Sequence, residues 1–118
     1  MFKIAVLCSG KSRGSNLKAM HDYFSEHKLP VEVSFVIRTA KIAPITEICE
    51  SLDIKCYHIP YKSAEQFEEE TLDIIHSNGI QIVALAGFLK KLSPVFIRDV
   101  AVPILNIHPA LLPNYGGS

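Results

Sequence analysis

Strand-like apolar runs and helix-period segments take turns along this chain, and that alternation constrains its fold more than any other feature. Phe2 to Cys8 is a β-branched and apolar run ending at "SGKSRGSN". Leu17, Met20 and Phe24 then repeat at helical spacing, with Lys18, Asp22 and Glu26 on other faces. Val31 to Ile37 forms the second strand, and Pro44 fits the first turn of a helix whose core stripe is Ile45, Ile48, Cys49 and Leu52. Ile54 to Ile59 is a third strand. Ser63 with Gln66 resembles a capping box opening a helix that buries Phe67, Ile74 and Ile75, turns Glu68 to Glu70 to solvent, and stops at Asn78-Gly79. Ile80 to Leu85 is a continuous apolar strand, Ser93-Pro94 starts another short helix, and Ile104 to Ile107 is the fifth strand. Strands that are apolar on both faces and separated by helices predict an α/β architecture, an open and mostly parallel sheet covered on both sides.

The 118 residues suffice for one domain with a buried core, and 48% hydrophobic against 20% charged residues places the chain among soluble globular domains. Twelve basic and twelve acidic residues cancel, so no general electrostatic attraction to nucleic acid or an anionic membrane is expected. A small anion remains a candidate ligand, since that needs only a local site. No apolar run approaches the roughly 20 residues of a spanning helix, and Ile4 to Cys8 is too short for a secretory signal. Cys8, Cys49 and Cys56 are odd in number and form no C-x-x-C pair, which favours reduced, buried thiols in a cytoplasm-like compartment. The histidines His21, His27, His58 and His76 give no metal-ligand spacing, so no metal is expected.

In such sheets ligands bind beyond the carboxyl ends of the strands, where three unusual loops fall together: "SGKSRGSN", "AGFLKKLSP" and "HPALLPNYGGS". The first is either a phosphate cradle at Gly14, Ser15 and Asn16, using free N–H groups at a helix start, or an ordinary turn with a Ser or Asn cap. It is not a nucleotide-triphosphate P-loop, because Ala5 stands where that motif needs glycine, and Gly10 to Ser15 is not G-x-G-x-x-G. The middle loop either lines a slot for a flat, partly anionic ligand or is a helix-start turn with exposed Lys90 and Lys91. In the last, Asn106 and His108 are two apart on a strand and share a side, with Ile107 on the other. An amide that donates to an oxyanion and an imidazole that moves a proton suit attack on a carbonyl, with the nucleophile supplied by the substrate. A histidine at a strand end is more often simply hydrogen-bonded in place.

"GSNL" at Gly14 to Leu17, "LAGFLKKLSP" at Leu85 to Pro94 and "LNIHPALLP" at Leu105 to Pro113 resemble the folate-dependent phosphoribosylglycinamide formyltransferases, along essentially the whole chain. The resemblance implies a Rossmann-like formyltransferase fold in which residues 1–118 are the N-terminal, nucleotide-binding portion. It implies transfer of a formyl group from 10-formyltetrahydrofolate to the amine of glycinamide ribonucleotide in purine biosynthesis, in the cytoplasm. By the same resemblance Gly14, Ser15 and Asn16 hold the ribonucleotide phosphate, and Leu89, Lys90, Lys91, Leu92 and Asn106 line the folate pocket. Asn106 and His108 are then the catalytic pair, with His108 as general acid.

The departures from the family pattern also carry expectations. Lys11 to Arg13 lengthen the first loop, Ala64 stands where family members often carry a basic folate contact, with Lys62 nearby, and "NYGGS" replaces the common "YPGLH". The family's catalytic aspartate, in a loop beyond a further strand, has no position among these residues, so the chain is expected to be an incomplete enzyme that self-associates if produced alone. Formyltetrahydrofolate hydrolysis is the nearest alternative, although hydrolases resemble "LARYM" where this chain has "LAGFL". A methionyl-tRNA formyltransferase fits less well, lacking a basic surface here, and a non-catalytic ribonucleotide-binding fragment is the third reading.

Overall fold

A computed structural model describes residues 1–10 and 13–107, so His108 and the loop that follows it lie outside the described residues. The elements run β1 (Phe2–Cys8), α1 (Ser15–Glu26), β2 (Val31–Arg38), α2 (Ile45–Ser51), β3 (Lys55–His58), α3 (Ala64–Ser77), β4 (Ile82–Ala86), α4 (Pro94–Val100) and β5 (Ile104–Ile107). All strands are parallel in the order β3-β2-β1-β4-β5. The α/β sheet expected from the alternation is therefore the one found. Differences are confined to ends: β3 is trimmed at both ends, β4 starts two residues later than its apolar run, and Pro44 precedes α2 as its cap.

Central β1 shows why its sequence is apolar on both faces. Ile4, Val6 and Cys8 pack with Leu17, Ile45 and Cys49 under α1 and α2, whereas Ala5 and Leu7 pack with Phe67, Ile75, Phe96 and Val100 under α3 and α4. Ala5 through Cys8 are fully buried, the state that parallel strands covered on both sides require. The serine caps also match the sequence. Ser63 Oγ accepts from Gln66 N–H at 3.2 Å, and Ser93 Oγ accepts from Phe96 N–H at 3.1 Å. The Asn-Gly stop is real as well: Asn78 caps α3 and Gly79 takes φ 62°, the left-handed turn that glycine enters without penalty.

Three expectations need correction. Glu68 is not part of a solvated face, because it is only 8% exposed and turned towards Ser93, while Glu69 and Glu70 do face solvent. Ile74 is half-buried at the edge of the stripe formed by Phe67, Thr71 and Ile75. Cys56 is half-buried, unlike buried Cys8 and Cys49, and none of the three is in a disulfide.

Cys56 shares a hydrogen bond with Cys49 that, with the charge of Arg38 and a hydrogen bond to Thr46, pulls its pKa down to about 7. The same bond and burial push the Cys49 thiol up. Only the thiolate attacks, so a lowered pKa moves reactivity to lower pH. Alkylation of Cys56 by iodoacetamide is expected to reach half its maximal rate near pH 7, against about 8.5 for an ordinary thiol. Mass mapping of the labelled cysteine across pH checks this, and a midpoint at the ordinary value contradicts it.

Candidate active site

The strand order creates the site. The chain steps outward from β1 to β2 and β3, then crosses back so that β4 lies on the other side of β1. Open parallel sheets bind ligands at such a reversal, beyond the carboxyl ends of the strands, which makes the start of α1 on one face of the sheet and α4 with β5 on the other its candidate walls. Ser9, at the end of β1 and almost wholly buried, donates its hydroxyl to the Gly87 carbonyl at the end of β4 at 2.7 Å. The two loops that the sequence singled out are thus tied together at their roots.

On one wall, α1 begins at Gly14, which adopts φ 84° and has no side-chain cap. Its first intrahelical bond runs from Lys18 N–H to the Gly14 carbonyl at 2.9 Å. The N–H groups of Ser15, Asn16 and Leu17 accordingly precede the first intrahelical donor and have no helical carbonyl to bond to, the arrangement that receives an anion. α3 and α4 instead each spend a serine on this task. Gly14 itself is pressed against α2, and a Cβ there would come within 2.9 Å of Ile48 Cγ1 and 3.1 Å of Ile45 Cγ1. Glycine serves here both for its backbone angle and for the close approach. Arg13 is exposed beside this wall.

The other wall is apolar. An open groove of about 440 Å³ is lined by Leu85, Lys90, Leu92, Ile97, Val102, Pro103 and Ile104. Lys90 and Leu92 are therefore in the groove as the sequence suggests, whereas Leu89 is 73% exposed and, like Lys91, is not among its lining residues. Sequence reasoning missed Leu85, Ile97, Val102, Pro103 and Ile104. The available signal was Ile97, an apolar residue 53% exposed on a seven-residue helix whose core face is already filled by Phe96 and Val100.

An aromatic file steadies this wall: Tyr61 lies 5.2 Å from Phe67, and Phe67 stacks on Phe88 at 5.6 Å between ring centres. The Lys90 ammonium sits 5.2 Å over the Tyr61 ring. A cation thus stands near the start of α3, where Ala64 offers none and Lys62 is exposed.

Asn106 sits on β5 level with Leu85 of β4. Its neighbour Ile107 packs into the α1 and α2 core, Ile104 into the α3 and α4 core, and Asn106 is exposed. The alternation expected at this strand end therefore holds as far as the described residues reach. Among those residues no group of three His, Cys, Asp or Glu side chains is placed to hold a metal, and no helix is long and apolar enough to cross a membrane.

Comparison with known proteins places the sequence and the fold in one family. The formyl transferase family model matches residues 2–118. The phosphoribosylglycinamide formyltransferase of Escherichia coli strain K12 is 36% identical over 97% of this chain, which spans 54% of that protein. Glycinamide ribonucleotide transformylase 1 from Symbiobacterium toebii superposes with a TM-score of 0.80 at 31% identity, covering 96% of this chain and 54% of its own. The mitochondrial formyltetrahydrofolate deformylase 2 of Arabidopsis thaliana is 30% identical over 98% of this chain, which spans 35% of it.

Proposed function

The chain belongs to the formyl transferase family, and from that premise we propose that it is the N-terminal, nucleotide-binding portion of a cytoplasmic phosphoribosylglycinamide formyltransferase. The carrying observation is a pair of features at the sheet's reversal point: an uncapped start of α1 and an apolar groove bounded by β4, α4 and β5, with the loops after β1 and β4 tied by the Ser9 to Gly87 bond. A phosphorylated acceptor on the first wall and a flat apolar donor on the second would meet at the end of β5, beside Asn106. Glycinamide ribonucleotide and 10-formyltetrahydrofolate have those properties.

On this reading Gly14, Ser15 and Asn16 receive the phosphate, and Leu92 with Ile97 and Ile104 encloses the apolar ring system of the donor. Lys90 stands at the groove mouth for the donor's carboxylates, while Leu89 and Lys91 contribute backbone rather than buried contacts. The acceptor amine attacks the formyl carbon. The new C–N bond forms, Asn106 donates to the oxygen as it becomes negative, the acceptor nitrogen gives up one proton, and protonated His108 passes one to the departing donor nitrogen as its bond to the formyl carbon breaks. The proton lost by the amine thus balances the proton gained by tetrahydrofolate. No protein nucleophile is needed.

The test is formyl transfer by the full-length protein. Tetrahydrofolate and formylated ribonucleotide are expected in equal amounts and only when both substrates are present. Steady formate release without ribonucleotide would instead support the deformylase reading, which the Arabidopsis relative's likeness keeps in view. The "LAGF" segment and the anion-ready α1 start favour the transferase.

A further inference from the structure

Buried carboxylates in small α/β domains generally have a specific task, and that of Glu68 is visible. It is 8% exposed, sits on the inner side of α3, and spends both oxygens on one residue: Oε2 accepts Ser93 N–H at 2.9 Å and Oε1 accepts Ser93 Oγ–H at 2.6 Å. Bonds to an ionised acceptor are about twice as strong as neutral ones. Ser93 in turn caps α4 through Phe96 N–H.

Ser93 is also the last residue of the segment that forms the groove's rim. Its first residues are held by the same helix and by β1, since Phe88 stacks on Phe67, the residue before Glu68, and Gly87 accepts from Ser9. The stretch between, Leu89 to Leu92, has little burial of its own: Leu89, Lys90 and Lys91 are exposed and only Leu92 is half-buried. Apart from Lys90 over the Tyr61 ring and the partial packing of Leu92, its shape is set by its two ends. Of those ends, the Glu68 bonds are the charged and more easily altered attachment.

We propose that Glu68 is a positioning residue for donor binding, fixing the rim of the groove by clamping Ser93 to α3. The inference rests on the groove being the formyl donor's site. It touches no reacting atom, and its influence passes through Lys90 and Leu92, which line the groove.

In the full-length enzyme, E68A is expected to raise KM for 10-formyltetrahydrofolate roughly tenfold, the equivalent of one charged hydrogen bond. KM for the ribonucleotide stays unchanged, because α1 and its N–H groups are not touched. E68Q is expected to restore most of the loss, since its amide oxygen accepts Ser93 N–H and its amide N–H donates to Ser93 Oγ. A residue that served folding alone would lower the active fraction and kcat and leave both KM values where they were, and that result overturns the proposal. If E68A does not fold, S93A is read instead: it removes the hydroxyl bond to Glu68 together with the α4 cap but keeps the Ser93 N–H bond, so a smaller rise in donor KM is expected, and an unaltered donor KM overturns the proposal. Backbone hydrogen exchange separates this idea from the functional reading: E68A should speed exchange at residues 88–93 and spare residues 15–17. That pattern in E68A, with a wild-type protein that shows no transferase activity, would sink the formyl-transfer reading while upholding the clamp. Unchanged exchange at residues 88–93 sinks the clamp whatever the activity.

Discussion

On the proposed function, replacing His108 by alanine in the full-length protein is expected to lower kcat for formyl transfer by about 10²–10⁴-fold, the usual contribution of a positioned general acid or base. On the proposed mechanism the effect falls on the chemical step, so KM for both substrates is expected to change little. The expectation comes from three joined facts: its place two residues after Asn106, the packing of Ile107 into the core, and the pairing of Asn106 with Leu85 beside the crevice. Asn106→Ala is expected to cost about 10²–10³-fold, as loss of an oxyanion donor does. The proposed mechanism has both residues serve one intermediate, so the double variant should lose less than the product of the two effects. Single-turnover rates with saturating substrates measure all three. Wild-type turnover by the His108 variant would remove it from the mechanism.

Gly14→Ala is expected to damage both stability and acceptor binding. The residue sits at φ 84°, where a Cβ costs about 1–2 kcal/mol. That Cβ would also stand 2.9 Å from Ile48 and 3.1 Å from Ile45, and such overpacking typically adds about 1–3 kcal/mol. A total of about 2–5 kcal/mol is a large part of the roughly 5–15 kcal/mol that holds a domain together. Relief of the clash requires α1 to lift from α2, which moves the N–H groups of Ser15, Asn16 and Leu17. KM for the ribonucleotide should therefore rise while KM for the formyl donor does not. Urea unfolding and the two KM values together test this, and a stable variant with an unaltered ribonucleotide KM would show that Gly14 is not part of the cradle.

Much of this architecture is legible in the chain because its signals are local. The period of Leu17, Met20 and Phe24, the Ser63 and Ser93 caps, and the apolar run of β1 each act within a few residues, and each appears in the fold as expected. Features set by distant partners are less visible. Glu68 lies in a run of three glutamates that suggests a solvated face, yet its partner is 25 positions away. Helical periodicity held a clue, since Glu68 stands one turn before Thr71 and two before Ile75 and so flanks the buried stripe. Ser9 was unremarkable in sequence for the same reason, its acceptor being the carbonyl of Gly87 on another strand. Cys56 could not be separated from its two fellow cysteines until β3 and α2 were placed together. Family resemblance, by contrast, pointed to the Leu89 to Leu92 segment but not to Ile97 and Ile104, which complete the groove from neighbouring elements.

The bond between Ser9 and Gly87 also has a kinetic side. Its ends are 78 positions apart, and closing a loop of that length costs on the order of 4 kcal/mol in chain entropy before any contact repays it. The β1–α1–β2 portion can pair locally, but β4 must return past two strands and three helices to lie against β1. Parallel pairing at such separation is slow compared with helix formation. The anion-ready turn can therefore take shape early, as a nearly local structure, whereas the crevice exists only after the chain has closed its longest loop.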